Sequence, residues 1–337
     1  MQDNNTIKSE IGQVLSDKRT GGKHKGEEQP WAEHKIDSLL LSESYKRLGK
    51  KSVFERVENC GEYLEFKRFP DNSLKLNQAY FCKNRLCPMC AWRRSLKIFG
   101  QMSKVLNQAE KEHGLRYIFL TLTIKNVEAE ELSPTIDELI NGFTKLGRRK
   151  AFKQAVVGWL RVLEVNYNQE SGEYHPHFHV ILAVKPDYFL KTNADYIEHS
   201  EWVEMWKKSM KLDYLPSVRI ESVRKNKKAN AAAEVAKYTV KSKDYLIKNK
   251  NGEVIENEAD WIVNVLDSSL KNRRLVAMGG ILKAIHKSLN LDDMEDGNLV
   301  DTDNEEINED LAYQLERYAW NVGFSYYTLR RIKNEGE

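Results

Sequence analysis

Three histidines at alternate positions in one short stretch are the residues of this sequence best placed to do chemistry. Residues 174–182 read YHPHFHVIL, and the apolar end of this stretch predicts a β-strand. Because side chains alternate between the two faces of a strand, His175, His177 and His179 are expected to share one face. Imidazoles at this spacing can converge on one metal ion; the alternative is a row of half-exposed histidines on a sheet. Three of the eight histidines fall within these five residues, which favours the metal site.

A second predicted strand precedes the first and supplies a carboxylate. Residues 159–166 predict a strand, and the polar, glycine-containing residues 169–173 are typical of a hairpin turn. In an antiparallel hairpin about that turn, Glu164 lies opposite His177, although a register slip of one residue would turn it away. A carboxylate with imidazoles suits Mn²⁺ or Mg²⁺, and the ligand types alone also admit Zn²⁺. The predicted metal ligands are His177, His179 and Glu164, with His175 as the rival third ligand.

All four cysteines fall in one N-terminal unit, at Cys60, Cys82, Cys87 and Cys90. The C-x4-C-x2-C spacing of the last three, with one earlier cysteine, predicts a structural Zn²⁺ site held by four thiolates. Two disulfides or four free buried thiols are the alternatives. The helix expected after the cluster contains Arg93 and Arg94, which we predict to contact DNA phosphates. The alternative is that the cluster acts only as a folding staple.

Composition and charge exclude a membrane protein and suggest a polyanionic partner. The chain has 337 residues, is 41% hydrophobic and 31% charged, and carries a net charge of +3. It has no apolar run of membrane-spanning length and no apolar signal region, so we expect a cytoplasmic protein. Residues 205–250 hold 13 Lys/Arg against 4 Asp/Glu, whereas residues 291–310 hold 10 Asp/Glu and no Lys/Arg. The basic part favours a polyanionic partner, and the acidic part suggests a segment that screens this positive charge within the protein. The alternative is a solvated surface with an uneven charge distribution.

A second set of chemically capable residues lies in the alanine-rich residues 230–241, which predict a helix. Glu234 and Tyr238 are four positions apart and share one helical face, with Lys237 and Lys241 alongside. A tyrosine close to lysines and a metal can attack phosphorus, because the cations stabilise the phenolate and the charge that develops on phosphate. Glu234 can deprotonate the tyrosine or a water molecule. Such a pair, taken alone, is usually plain helix surface.

These motifs together resemble the rolling-circle replication initiator (Rep) proteins of small plasmids from Gram-positive bacteria, in the HUH endonuclease superfamily. The resemblance covers roughly residues 55 to 290 and depends on the order and spacing of the motifs. The matching motifs are FLTLT at 119–123, HPHFH at 175–179, Glu234-x-x-x-Tyr238, and RLCPMC-x-WRR at 85–94.

The resemblance implies a nicking enzyme. His177 and His179 would hold the divalent ion, and Tyr238 would attack the scissile phosphate of plasmid origin DNA. The products would be a 5′-phosphotyrosine link and a free 3′-hydroxyl that primes synthesis. Glu234 would activate water for the terminating cleavage, and we place Lys237 and Lys241 against the DNA. A host helicase and polymerase are further implied partners, and a second copy of the chain is another candidate.

The interleaved strands and helices predict an α+β fold, and the resemblance specifies an HUH core with a central antiparallel sheet and packed helices. Residues 311–322 have helical periodicity, which suggests a mainly helical C-terminal region. The expected units are a flexible segment (1–50), a four-cysteine zinc-knuckle module with a basic helix (51–112), the endonuclease core (113–250) and a C-terminal region for DNA binding or oligomerisation (251–337).

Three rival functions remain open from the sequence. A mobilisation relaxase or a transposase would use the same chemistry for a different biological end. A zinc-stabilised DNA-binding protein would have structural histidines and no chemistry. A Zn²⁺ hydrolase would keep its metal-dependent activity after loss of Tyr238.

Overall fold

The computed structural model describes residues 13–19, 25–190, 192–224, 228–236, 240–303 and 312–334, without the side chains of Lys228, Asn230 and Asn334. These residues form two antiparallel sheets with packed helices, which confirms the α+β class. No helix in this part of the chain has both the length and the apolar character that a bilayer crossing requires.

The helices of the described residues are α1 (Trp31–Arg47), α2 (Lys51–Glu58), α3 (Pro88–His113), α4 (Ala129–Gly147), α5 (Lys150–Ala155), α6 (His199–Met210), α7 (Lys228–Val235), α8 (Glu256–Leu270) and α9 (Gly280–Ser288). The strands are β1 (Tyr63–Arg68), β2 (Leu74–Ala79), β3 (Arg116–Leu122), β4 (Val156–Tyr167), β5 (Tyr174–Val184), β6 (Val218–Val223), β7 (Val276–Gly279), β8 (Gln314–Asn321) and β9 (Tyr326–Asn334).

The larger sheet has the strand order β6-β3-β5-β4-β7, and every neighbouring pair is antiparallel. The histidine strand β5 lies at its centre and is covered on both faces. This double burial explains why residues 180–184 are continuously apolar and do not alternate with polar residues. The central antiparallel sheet expected from the sequence is therefore present.

The two faces of this sheet pack against different helices. On one face, Phe143 of α4 lies with its ring centroid 5.8 Å from that of Phe178 on β5. On the other face, α3, α7 and α9 share a hydrophobic cluster with alternate β5 residues, including Ile181 and Ala183. His177 and His179 have the same parity as Ile181, so their side chains belong to the face covered by α7.

The smaller sheet has the order β2-β1-β8-β9, so the C-terminal hairpin pairs with a strand from the N-terminal part of the chain. The prediction of a helix over residues 311–322, and with it a mainly helical C-terminal region, is wrong. Alternate residues of β8 do point inward, but one of them is Glu316, which accepts hydrogen bonds from Arg68 and Tyr318. A buried carboxylate at an inward position hid the period of two that marks a strand.

The N-terminal residues that the structure describes are packed, although the sequence predicts a flexible segment over residues 1–50. Leu15 donates its backbone N–H to Tyr327 on β9, which adds residues 13–15 to the edge of the smaller sheet. Helix α1 buries Trp31, Leu41 and Tyr45. Residues 1–12 and 20–24 lie outside the described part of the chain.

Candidate metal centre and cysteine cluster

The register of the β4–β5 hairpin determines which carboxylate faces the histidines. Glu164 pairs directly with His177, and Val162 pairs with His179. This is the predicted pairing, and it sets Glu164, His177 and His179 on one face of the sheet. One ligand atom from each of these three residues lies within 4.8 Å of the others.

The carboxylate and the two imidazole Nε2 atoms of this group lie close together. Glu164 Oε2 lies 2.9 Å from His179 Nε2 and 3.7 Å from His177 Nε2, and the two Nε2 atoms are 3.3 Å apart. Metal–ligand bonds of roughly 2.0–2.2 Å span separations of this size at one ion. All three side chains are largely buried. The group can therefore hold one divalent ion with one carboxylate oxygen and two imidazole nitrogens.

His175, the rival third ligand, lies on the same face but outside the converging group. Its Nδ1 is 2.8 Å from the side-chain oxygen of Asn126, and its backbone carbonyl is 3.1 Å from His177 Nδ1. A His177 Nδ1–H that donates to this carbonyl leaves Nε2 unprotonated and able to bind a metal. The structure thus gives His175 a part in orienting His177 through its backbone.

Thr121 on β3 is a neighbour of the metal group that sequence reasoning missed. Its hydroxyl lies 3.4 Å from His179 Nδ1, because Thr121 pairs with His179 in the β3–β5 register. The ring of Phe119 stacks on the His179 imidazole with centroids 5.5 Å apart. The FLTLT motif could have indicated this contact, because residues 119 and 121 share one face of a strand.

The charges around Glu164 keep its carboxylate ionised, which metal binding requires. Burial alone would raise the pKa of Glu164, but hydrogen bonds from His179 and Lys241, with the Lys241 charge, lower it to about 2. Burial lowers the pKa of His177 to about 4. At neutral pH the site is therefore a carboxylate beside a neutral imidazole, as metal ligation demands.

Helix α7, which contains Glu234, packs on the same face of the sheet as the metal group. Its residues Ala232 and Val235 are buried in the cluster formed with Ile181. Glu234 is partly buried on this helix. Lys237 and Tyr238 lie outside the described residues. The chain resumes at residue 240, and Lys241 Nζ donates to Glu164 Oε1 at 2.8 Å, so Lys241, expected against DNA, adjoins the metal group.

The four cysteines form a second buried group. Cys60 Sγ lies 3.5 Å from Cys90 Sγ and 3.6 Å from Cys87 Sγ, and Cys82 Sγ lies 3.6 Å from Cys90 Sγ. These separations rule out disulfides in the structure, because an S–S bond is about 2.05 Å long. They are close to the edge of roughly 3.8 Å in a tetrahedral Zn²⁺ site with Zn–S bonds of ~2.3 Å.

Backbone donors around the sulfurs fit bound thiolates better than free thiols. The N–H of Lys83 donates to Cys90 Sγ at 3.2 Å, and the N–H of Cys82 donates to Cys60 Sγ at 3.4 Å. Such N–H groups stabilise negative sulfur. The predicted set of four cysteines is thus brought together, and it could hold Zn²⁺.

Arg93 and Arg94, predicted to contact DNA, are buried and used inside the protein. Arg93 donates to the carbonyls of Leu299 and Val300, and Arg94 donates to that of Glu295. Only 3% of Arg93 and 7% of Arg94 is exposed. Neither guanidinium can reach a phosphate in this structure, so these two residues are not DNA contacts.

The buried basic residues of α3 pack against the acidic segment, which the sequence alone does not link to this helix. The segment approaches α3 so closely that a Cβ on Gly100 would meet the Thr302 carbonyl at 2.6 Å. Lys97, which is 1% exposed, forms an ion pair with Asp292 at 2.5 Å. The idea of a self-screening acidic segment is supported for residues 291–303, whereas residues 304–311 lie outside the described part.

An antiparallel sheet with a Glu-His-His group, joined to a buried cluster of four cysteines, defines an α+β protein with two candidate metal centres. The chain belongs to the Rep_1 family, described as "Replication protein", whose model matches residues 73–328. That match includes the whole Glu-His-His group and three of the four cysteines.

Curated relatives extend the similarity over nearly the entire chain. "Protein rep" of Bacillus amyloliquefaciens is 41% identical over 94% of this chain and 97% of its own length. "Protein rep" of Streptococcus pneumoniae serotype 2 (strain D39 / NCTC 7466) is 42% identical over 96% of this chain and 97% of its own. A "Protein rep" from a Bacillus species is 46% identical over 73% of this chain. No solved structure matches.

Proposed function

We propose that the protein initiates rolling-circle replication of a plasmid by binding the double-strand origin and nicking one DNA strand. Family membership and the relatives' names support a role in replication. The observation that carries the chemical part is the ion pair between Lys241 and Glu164. Lys241 follows Tyr238 by three residues, so this contact ties the proposed nucleophile segment to the proposed metal ligands.

In this proposal Glu164, His177 and His179 hold a divalent ion, Mn²⁺ or Mg²⁺, and Zn²⁺ occupies the cysteine cluster. A divalent ion at the first site would supply Lewis acidity to the scissile phosphate. Lys241, whose side chain is 35% exposed, would add positive charge beside the same phosphate.

The reaction is a transesterification by Tyr238. Its hydroxyl oxygen bonds to phosphorus as the P–O3′ bond breaks, the phenol loses its proton to a base, and the departing 3′ oxygen takes up a proton. The 5′ end remains linked to the tyrosine, and the free 3′-hydroxyl primes synthesis by the host polymerase. Lys237 and Lys241 stabilise the phenolate and the negative charge on phosphate.

Glu234 is proposed to end the cycle. Glu234 precedes Tyr238 by four residues in the sequence, and it would deprotonate a water molecule that attacks phosphorus in the terminating cleavage. Hydrolysis would then release the protein instead of leaving it attached through a second tyrosine ester. The expected variant Glu234→Gln nicks origin oligonucleotides but releases product slowly; unchanged release would remove this role from Glu234.

The decisive experiment is a cleavage assay with single-stranded oligonucleotides that tile the candidate plasmid origin, in the presence of Mn²⁺. We expect a covalent protein–DNA adduct on denaturing gels for the wild type and for Tyr196→Phe, an exposed-tyrosine control. Tyr238→Phe should form no adduct. An adduct that persists in Tyr238→Phe would contradict the assigned nucleophile, and no adduct with the metal-loaded wild type would favour a DNA-binding protein without chemistry.

A separate experiment distinguishes a role in plasmid replication from a role in plasmid transfer. Loss of the plasmid after Tyr238→Phe in cells would support replication, together with the implied host helicase and polymerase. Normal copy number with failed plasmid transfer would instead favour a mobilisation relaxase.

A further inference from the structure

A cleft of about 600 Å³ opens beside the cysteine cluster, between the loop that contains Cys82 and Cys87 and the end of α8. We call it the knuckle cleft. It belongs to neither metal group. Positively charged side chains predominate in its lining, with six Lys/Arg side chains against three Asp/Glu. The six are Arg56, Lys83, Arg85, Lys271, Arg273 and Arg274.

The carboxylates of the cleft already have partners. Glu295 pairs with Arg85, and Asp296 lies 3.6 Å from the same guanidinium. Asp267 accepts from Lys50, which is outside the lining, at 2.8 Å. One guanidinium faces two of the carboxylates, so these pairs offset part of the negative charge, and the lining keeps an excess of three positive charges.

Within the part of the chain that the structure describes, three of its cations have no carboxylate partner. Among the described residues, none of Arg56, Lys83 and Lys271 has an ion-pair partner, and all three side chains are exposed. The ammonium of Lys83 donates to the carbonyl of Asp296, at 2.8 Å. The three come from α2, the cysteine loop and the end of α8, so positive charge converges on the cleft from separate segments.

The backbone on two sides of the cleft is held in the left-handed region. Lys83 has φ of 57° and Asn272 has φ of 59°. For lysine this conformation is unfavourable, and it is held here by the hydrogen bond from the Lys83 N–H to Cys90 Sγ. The cysteine cluster thus fixes the direction in which the Lys83 side chain leaves the loop.

We propose that the knuckle cleft binds the phosphate backbone of duplex DNA, at a place distinct from the nicking site. This rests on the proposed function for the identity of the polyanion. The residues that line the cleft include no Phe, Tyr or Trp. Binding of single strands relies on aromatic platforms for the bases, whereas duplex binding through phosphates needs only converging cations.

A backbone hydrogen bond joins the loop at one side of the cleft to β4, the strand that contains Glu164. The loop after α8 leads into β7, and Leu275 in that loop accepts from the N–H of Leu163, the neighbour of Glu164. The loop that follows Lys271 is thus hydrogen-bonded to the strand that supplies Glu164. This arrangement gives the four-cysteine module a DNA contact in place of the buried Arg93 and Arg94.

The test is the affinity of the full chain for a fluorescent origin duplex, measured as a function of salt, for the triple variant Arg56→Gln/Lys83→Gln/Lys271→Gln. Each lost phosphate contact removes about 0.9 from the slope of log K against log salt, so the slope should fall by about 2 to 3. Affinity at low salt should fall at least ~10-fold. The matched control is Lys111→Gln/Lys145→Gln/Lys153→Gln, which removes three exposed lysines outside the cleft.

The outcomes separate this site from the nicking chemistry. We expect the triple variant to keep its zinc content and its cleavage of single-stranded oligonucleotides while duplex binding weakens. An equal effect in the control variant would mean a general charge effect and overturn the proposal, as would unchanged duplex binding. If the wild type binds duplex through these residues but never nicks, the cleft stands and the proposed chemistry fails.

Discussion

Lys241 and Glu164 form an ion pair with the Lys241 ammonium 2.8 Å from Glu164 Oε1. The other oxygen, Oε2, faces His179 and His177. One carboxylate is therefore shared between a candidate metal site and a residue three positions beyond Tyr238. A metal ion can use Oε2 without displacing Lys241 from Oε1.

Substitution of Lys241 should separate metal binding from cleavage. In Lys241→Met, Mn²⁺ should bind at least as tightly as in the wild type, because a cation next to Glu164 is gone. Cleavage should slow by ~10- to 100-fold, the usual loss of activity when a partner of a metal ligand is removed, because the positive charge beside the scissile phosphate is gone. Calorimetric Mn²⁺ titration and single-turnover cleavage measure the two effects, with Lys241→Arg as the charge-preserving control. Weaker Mn²⁺ binding with normal cleavage would contradict this account.

The two histidine substitutions should differ in their effect on Mn²⁺ affinity. His177→Ala removes a converging nitrogen and should weaken Mn²⁺ binding by more than ~10-fold. His175→Ala keeps the backbone carbonyl that orients His177, so its affinity should stay within a few-fold of the wild type. Duplex binding should survive in both variants, because it depends on the basic surface. A larger loss in His175→Ala would make His175 a ligand.

A tyrosine connects the cysteine loop to the segment beyond the proposed nucleophile. The buried hydroxyl of Tyr245 donates to the carbonyl of Leu86, one residue before Cys87. Tyr245→Phe leaves that buried carbonyl without its partner, so the free energy of unfolding should fall by ~1–3 kcal/mol. Urea denaturation measures this, and the exposed Tyr196→Phe should change stability by less than ~0.5 kcal/mol. Cleavage by Tyr245→Phe should slow while its zinc content is retained; normal cleavage would uncouple this loop from the nucleophile segment.

The sequence was most informative where function depends on local periodicity. Alternation along β5, together with a short turn, was enough to predict that Glu164 pairs with His177, because a hairpin register follows from nearby residues. The four cysteines were equally predictable, since few other arrangements bring thiolates together at that spacing.

The failures came from contacts between distant parts of the chain. Arg93 looks like a surface cation beside a zinc loop, yet its guanidinium donates to Leu299, more than 200 residues away. Glu316 makes β8 look irregular because its partner, Arg68, belongs to a strand near the other end of the chain. The ion pair of Lys241 with Glu164 spans 77 residues and has no local signature. Pairings of this kind depend on tertiary packing, which periodicity alone does not encode.

The cysteine cluster makes a prediction that distinguishes bound metal from four free thiols. The purified chain should contain one zinc per molecule, measured by atomic emission, and Cys90→Ser should lose it. Because zinc binding contributes directly to folding, the free energy of unfolding should fall by far more than the ~1 kcal/mol of a typical substitution. His177→Ala is the matched control: it disturbs the other candidate site and should keep its zinc. Wild-type protein that lacks zinc and whose four thiols react freely with an alkylating reagent under native conditions would contradict the assignment. The same zinc-free state should lose duplex binding as well, since the Lys83 conformation at the knuckle cleft depends on Cys90.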